Sequence, residues 1–379
     1  MRKSGRLLAA GVCWACVQFW PHLSMADELL LGVIADLSGL GHSYGVSIVQ
    51  GAEMAVRDIN AAGGVNGRQV KLVVADDASN PARSAIEMRQ LIASQVTLIV
   101  GGWGSSQVLA NMDVAEEAGV PYIVVGATSP RITSLDNRWT FRVIPSDSVM
   151  AEQLASIVTK RLRMTRIAVI SDSNAYGAGN RDVFIAALAR LGVVPVAVQS
   201  YQTADKEFSA QLANIRAANP DGIAIFGTVP AAPAIMNQAR AFGIGARFVG
   251  TGGLANDALI SLAPAASEGA VLMTFFNEEV DADSRLWAER YRKEFADRQE
   301  PPRPVLAAWE YRAIREIAAP CLAAGGPDMA ALRDCLTQWK GTPFGVTGTA
   351  YFDETQQLVQ PPLVVEVKDG TFRLFRESD

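Results

Sequence analysis

From residue 29 the chain alternates between two hydrophobic patterns. Short apolar runs rich in Val, Ile and Leu at 29–35, 70–75, 97–100 and 122–125 read as strands. Between them lie stretches with helical periodicity: Ala52, Ala55, Val56 and Ile59 share one face, and helices are predicted over about 81–94 and over 107–118. Strand–helix alternation of this kind specifies a parallel sheet with helices on both sides. The run 141–145 breaks the rhythm and is expected to cross between domains. The alternation then restarts, with strands predicted at 167–170, 193–198, 223–226, 248–250 and 271–275 and helices at 181–191 and 207–218. Residues 284–339 read as mainly helical, with Trp287, Tyr291 and Phe295 spaced along one apolar face. Short strands are expected near 350–352, 363–367 and 372–375, the last two joined by Asp369-Gly370, a hairpin signal. The pattern is that of an α/β protein with two similar halves and a mixed tail, and 379 residues suit two domains better than one.

Two loops stand out. Gly101-Gly102-Trp103-Gly104-Ser105-Ser106 and Gly126-Ala127-Thr128-Ser129-Pro130 each follow a predicted strand and combine glycine with hydroxyls. Parallel neighbours place both loops at the carboxyl edge of one sheet, where open α/β sheets bind ligands. Ser105 and Ser106 open the next helix, whose free N–H groups and dipole favour an anion such as a carboxylate. The alternative is that these hydroxyls only cap the helix. Trp103 either adds a flat surface beside this grip or plugs the lobe boundary.

The first 26 residues bear on where the chain works. Arg2, Lys3 and Arg6 precede an apolar run from Leu7 to Phe19 and a small-residue site at Ser24-Met25-Ala26, the pattern of a cleaved secretory signal. The run is shorter than the roughly 20 residues a membrane span needs. Cleavage removes three positive charges and no acid, leaving 31 basic against 39 acidic side chains, a balance that argues against nucleic acid as partner. Cys13 and Cys16 leave with the signal. In an exported chain the remaining Cys321 and Cys335 suit a disulfide pinning two successive helices, with two buried free thiols as the alternative.

Catalytic chemistry is hard to assemble from what remains. After the signal the one histidine is His42, read as a solvated loop residue, and no Gly-x-Ser-x-Gly elbow accompanies it. There is no His-Glu-x-x-His, no phosphate loop and no calcium-loop spacing. Gly39-Leu40-Gly41-His42-Ser43-Tyr44 approaches a dinucleotide fingerprint, but Tyr44 holds the place of the third glycine. Asp76-Asp77 reads as a cap for the helix that starts near Pro81.

Specific stretches carry a family likeness: Gly51-Ala52, Asp58 through Gly67, Asp76-Asp77-Ala78, Gly126 through Pro130, and Asp172 followed by Ala175-Tyr176-Gly177. In these the chain resembles the branched-chain amino-acid-type (Leu/Ile/Val-binding) periplasmic solute-binding proteins that feed ABC transporters. The resemblance implies a type I periplasmic binding protein, with two doubly wound parallel-sheet lobes joined by a three-segment hinge and closing on a ligand. Lobe 1 would take 27–146 and 277–350, and lobe 2 would take 147–276 and 351–379. Carried over, Ser105 takes the ligand carboxylate, Thr128 helps it, Gly126 offers a backbone contact, Tyr176 covers the ligand from lobe 2, and Tyr44 is the aromatic of the first loop. Ser106 and Trp103 complete the candidate site. A monomer in the periplasm is implied, with a small-molecule ligand and permease subunits as partners and no cofactor.

Two departures matter. The acid that receives a ligand ammonium in amino-acid binders is replaced here by Gly252, although Asp257 or Asp172 could supply one. A cysteine pair found in some members would fall on Ser79 and Gly104, so that bridge is absent. These departures favour a small organic acid or amide over a simple aliphatic amino acid. A ligand-sensing module of the same fold remains the second functional class, and an enzyme the third.

Overall fold

The structure, a computed structural model, describes residues 28–134, 137–298, 303–326, 328–345 and 349–376; the expected signal at 1–26 lies outside them. The first lobe is built from β1 (Leu29–Ala35), α1 (His42–Ala61), β2 (Val70–Asp76), α2 (Pro81–Ala93), β3 (Leu98–Gly101), α3 (Ser105–Ala118), β4 (Tyr122–Val124), the short α4 (Arg131–Ser134) and β5 (Thr140–Arg142). Its sheet runs in the order β2-β1-β3-β4-β5, every pair parallel. The segment 141–145 is thus not simply a crossing. Its first residues close the sheet as β5, and the chain leaves the lobe only afterwards.

The second lobe repeats the plan with α5 (Asp147–Ser156), β6 (Ile167–Asp172), α6 (Ala175–Arg190), β7 (Ala197–Tyr201), α7 (Ser209–Ala217), β8 (Gly222–Phe226), α8 (Ala232–Ala241), β9 (Arg247–Gly250), α9 (Asp257–Leu262) and β10 (Val271–Thr274). Helix α6 starts six residues before its expected start at 181. The Asn174 side chain accepts the Gly177 N–H at 2.9 Å, and that cap outweighs the cost of Gly177 and Gly179 in the first turns. Strand β7 lies four residues later than expected at its start. It is an edge strand whose first four residues alternate between half-buried and exposed before the buried Tyr201, and Val194, inside the apolar run 193–198, is 78% exposed in the approach to it.

The chain then returns to the first lobe with α10 (Ala282–Glu294), α11 (Pro304–Arg312), α12 (Ala319–Gly325) and α13 (Met329–Gln338). Helix α11 packs along α1, and the approach is so close that a Cβ on Gly51 would stand 2.3 Å from the Ala307 carbonyl oxygen. Cys321 and Cys335 are joined as a disulfide between α12 and α13. A small antiparallel sheet of β11 (Lys340–Gly341), β12 (Ala350–Phe352) and β13 (Leu358–Val359) follows, and the Phe352 ring meets Phe141 of the first lobe edge-on at 5.3 Å. Residues 350 and 351, divided between lobes in the sequence-based boundaries, therefore belong to one strand. Finally β14 (Leu363–Lys368) and β15 (Thr371–Leu374) extend the second sheet antiparallel, giving β15-β14-β10-β9-β8-β6-β7. Their turn places Asp369 and Gly370 at φ of 52° and 68°, the backbone that a tight hairpin demands.

Three passages join the lobes: after β5, after β10 and after β13. Side chains hold them together, since Gln357 Nε2 donates to Ile144 O and Gln360 Nε2 to Val143 O, both at 2.8 Å. The Trp309 indole N–H donates to Phe275 O at 2.7 Å on the middle passage.

Candidate functional site

The two lobes share one strand order. In the first it is β2-β1-β3-β4-β5, and in the second β7-β6-β8-β9-β10. In such sheets the crossovers part between the first and third strands and leave a crevice at the carboxyl edge. The two crevices face each other across a cavity of about 290 Å³. From the first lobe it is lined by Tyr44 after β1, residues 103–107 after β3, and Gly126 and Thr128 after β4. From the second come Asn174 and Tyr176 after β6, Thr203 after β7, Thr228 after β8, Gly252 and Gly253 after β9, and Phe275 after β10. Every candidate ligand residue from the sequence thus borders one space.

The grip is shaped by its backbone. Gly101 and Gly102 sit at φ of 123° and 77°, which lets the chain turn sharply out of β3 into α3. Gly104 holds the N-cap position with no side-chain cap, so neither Ser105 nor Ser106 serves as the helix cap weighed above. The Ser105 hydroxyl oxygen accepts the Ser129 N–H at 3.2 Å, which leaves its hydrogen to donate elsewhere. Thr128 Oγ1 and Trp103 Nε1 are buried without a hydrogen-bond partner among the described residues. Such groups cost stability unless something satisfies them. The first turn of α3 also directs its backbone N–H groups, which lack partners within the helix, toward the same end.

Tyr44 and Trp103 do something the sequence did not suggest. Their rings stack on each other, 4.7 Å between centroids and 3° from parallel, so each covers one face of the other. The Tyr44 hydroxyl then reaches across the cleft, donating to Gly253 O at 2.7 Å and accepting Val229 N–H at 3.0 Å. Ser106 also crosses, its hydroxyl accepting Ala175 N–H at 3.4 Å. The Tyr176 hydroxyl stays within its own lobe, paired with Thr251 Oγ1 and accepting Gly253 N–H, both at 3.0 Å. Burial pushes both phenols up, so both hydroxyls remain protonated throughout the physiological range.

Behind the grip lies Asp147, the first residue of α5, whose N–H donates to Thr128 O at 2.8 Å. Its carboxyl is enclosed, and burial pushes it up to about 7 against the opposing influence of the Thr128 hydroxyl, Arg142 and Asn180. Neither carboxyl oxygen makes a hydrogen bond of good geometry, so the Thr128 influence is that of a nearby dipole. Arg142 is itself buried, its guanidinium donating to Ser129 O, Thr133 Oγ1 and Gln357 Oε1.

The other acids have distinct fates. Asp76 and Asp77 do not cap α2. Asn80 does, accepting Arg83 N–H at 3.0 Å, while the two acids hold the preceding loop through Leu37 N, Ala78 N and Ser79 N. Asp172 is buried and satisfied by Asn174 N–H and the Thr203 hydroxyl, away from the cavity. Asp257 does line the cavity. So do Arg303 to Leu306 at the start of α11, which no motif marked, because a distant part of the chain brings them there. Ser79, where a cysteine was noted as missing, hydrogen-bonds Asp36, and His42 Nδ1 lies 2.6 Å from Leu37 O in the first loop.

Against known proteins, residues 28–371 match the family model described as periplasmic binding protein. A Pseudomonas aeruginosa protein named amino acid binding protein is 32% identical over 313 residues, covering 82% of each chain. The structure of a Streptococcus pneumoniae branched-chain amino acid transporter substrate-binding protein, in complex with isoleucine, aligns with a TM-score of 0.84 and 26% identity over 92% of this chain and 98% of that one. A Rhodopseudomonas palustris ABC-transporter solute-binding protein, in complex with benzoate, aligns with a TM-score of 0.81 at 21% identity, covering 92% and 95%.

Proposed function

This chain belongs to the periplasmic binding protein family, and from that premise we propose that it captures a small organic acid between its lobes for delivery to an ABC transporter permease. We further infer that the acid has a planar or aromatic body rather than the frame of a simple aliphatic amino acid. One observation carries the second part. At position 252, where an ammonium-binding acid is expected in amino-acid binders, a Cβ would stand 2.5 Å from the Phe275 ring, so that ring takes the space of the missing side chain. An α-ammonium lodged there would face an aromatic edge instead of a carboxylate, and a buried unpaired charge is costly. A cavity of about 290 Å³ admits a molecule about the size of benzoate or leucine, near the small end of ligand pockets. The carboxylate reading rests on the α3 N-terminus with the Ser105 and Thr128 hydroxyls beside it.

A thermal-shift panel of benzoate, 4-hydroxybenzoate, phenylacetate, leucine, isoleucine and leucinamide tests both parts, since a ligand at 100 times its Kd adds about 2.7 kcal/mol. Aromatic acids are expected to raise Tm most. A strong shift with leucine or isoleucine and none with the aromatic acids would overturn the planar body. Ser105→Ala should then weaken binding of the best acid about tenfold to hundredfold, because a charge-assisted bond is worth about 1.5–3 kcal/mol, and should also lower unliganded melting somewhat by freeing the buried Ser129 N–H. Undiminished affinity in that variant would move the carboxylate away from α3.

A further inference from the structure

The cleft does not end where the first cavity does. A second cavity of about 500 Å³ lies beside it, and the two share Ala255 and Asp257 from the second lobe and Pro304 and Val305 from the first. The partition between them is therefore made of one short segment from each lobe, so lobe closure sets its width. Asp257 borders both spaces. It is the first residue of α9, held in place by the Asn256 cap, whose side chain accepts Ala258 N–H at 2.9 Å.

The charges around it are distributed unevenly. In the second cavity Arg292 pairs with Glu278 at 2.6 Å and Arg373 with Glu279 at 2.8 Å, so those four side chains satisfy one another. Among the described residues Asp257 has no ion pair and accepts no hydrogen bond, and Asp257 and Arg303 are the only charged groups that border the first cavity. Its side chain is open to the cavities yet surrounded by protein on most sides. Burial accordingly pushes its carboxyl up, with Arg292 and Arg303 acting in the opposite sense. A carboxylate in that setting gains most from a ligand group that donates a hydrogen bond to it.

We propose that the two cavities form one elongated site in which Asp257 receives a hydrogen-bond donor at the far end of the ligand, so that the preferred ligand is a carboxylate bearing an amine or hydroxyl remote from its acid group. This rests on the carboxylate reading given above. It also explains how a donor is accommodated without an acid at position 252: recognition has moved from beside the carboxylate to the opposite end of the cleft. Asp257 is then a specificity-determining residue, and the body between the two polar ends packs against the Pro304–Val305 wall.

Calorimetric titration with two isosteric pairs tests this: 4-hydroxybenzoate against 4-methylbenzoate, and 6-aminohexanoate against heptanoate. In whichever pair binds, the donor-tipped member should bind about tenfold or more tightly than its methyl-tipped partner. Asp257→Ala should reduce that preference to within about threefold while leaving the methyl-tipped Kd unchanged, and Asp257→Asn, which keeps an acceptor oxygen without the charge, should retain part of it. Equal affinities within a pair, or a preference that survives in both variants, overturn the proposal. Binding of the methyl-tipped acids alone overturns it while sparing the carboxylate reading. If none of the four acids binds and leucinamide does, the carboxylate reading fails and Asp257 loses this role with it.

Discussion

Replacing Tyr44 by Phe removes one oxygen from the cleft and tests how the lobes are held shut. That oxygen makes two hydrogen bonds from the first lobe to the second, to Gly253 O and from Val229 N. At about 0.5–1.5 kcal/mol net each, their loss raises the closed state by about 1–3 kcal/mol. In an open form the Gly253 carbonyl and Val229 amide meet water, so the open state is untouched and the equilibrium moves by roughly 5- to 150-fold. The Phe ring keeps the stack on Trp103, so the cavity wall is retained. Small-angle scattering of the unliganded variant should give a larger radius of gyration if the parent is mainly closed. If the parent is mainly open, affinity should fall by the same factor, while the ligand-saturated radius stays as in the parent. Scattering and affinity both identical to the parent would refute the view that Tyr44 is a cross-cleft latch.

Two further outcomes follow from groups away from the ligand. The Asp147 carboxyl, held up to about 7 by burial, binds its proton more tightly folded than unfolded, so stability is lost as pH rises from about 4 through 7, by up to about 4 kcal/mol. Asp147→Asn stays neutral, and urea unfolding should show its advantage over the parent growing between pH 5 and pH 8; a difference that is constant with pH would contradict this. The Cys321–Cys335 bridge closes a sequence separation of 14, for which chain-entropy arguments give about 3 kcal/mol. Reduction, or the double change to Ala, should lower unfolding stability by up to that amount, and an unchanged denaturation midpoint would show the bridge to be energetically idle.

Much of the architecture was legible because local and global preferences agree. The apolar runs at 29–35 and 122–125 are strands covered on both faces, and no other element accommodates them. The two hydroxyl loops were legible for a geometric reason: parallel strands deliver their following loops to one edge. What remained hidden depends on partners far along the chain. The helix at 147–156 starts at a buried acid, a residue that composition assigns to surfaces, and its inward Met150, Ala151 and Leu154 make only a short stripe. The run 193–198 looked uniformly apolar, so its register could not be seen; as an edge strand β7 needed only alternate contacts. Tyr44 and Trp103 were each expected beside a ligand, and nothing local indicated that they would first find each other. The wall from Arg303 to Leu306 carries no signature, because its place follows from α11 packing on α1.

That last packing has a consequence for the order in which the molecule becomes a protein. Gly51 and Ala307 touch across most of the chain's length, so the face of α1 that carries Gly51 lacks its cover until α11 emerges from the ribosome. The β-strands of the first lobe are complete by Arg142, yet α11 reaches them only after β6 to β10 of the second lobe have been made. Contacts of such long sequence separation form late and slowly. A nascent chain cut short before Pro304 therefore leaves one face of α1 uncovered, which makes it prone to capture by chaperones or to aggregation. The last quarter of the sequence acts as the timer for folding of the first lobe.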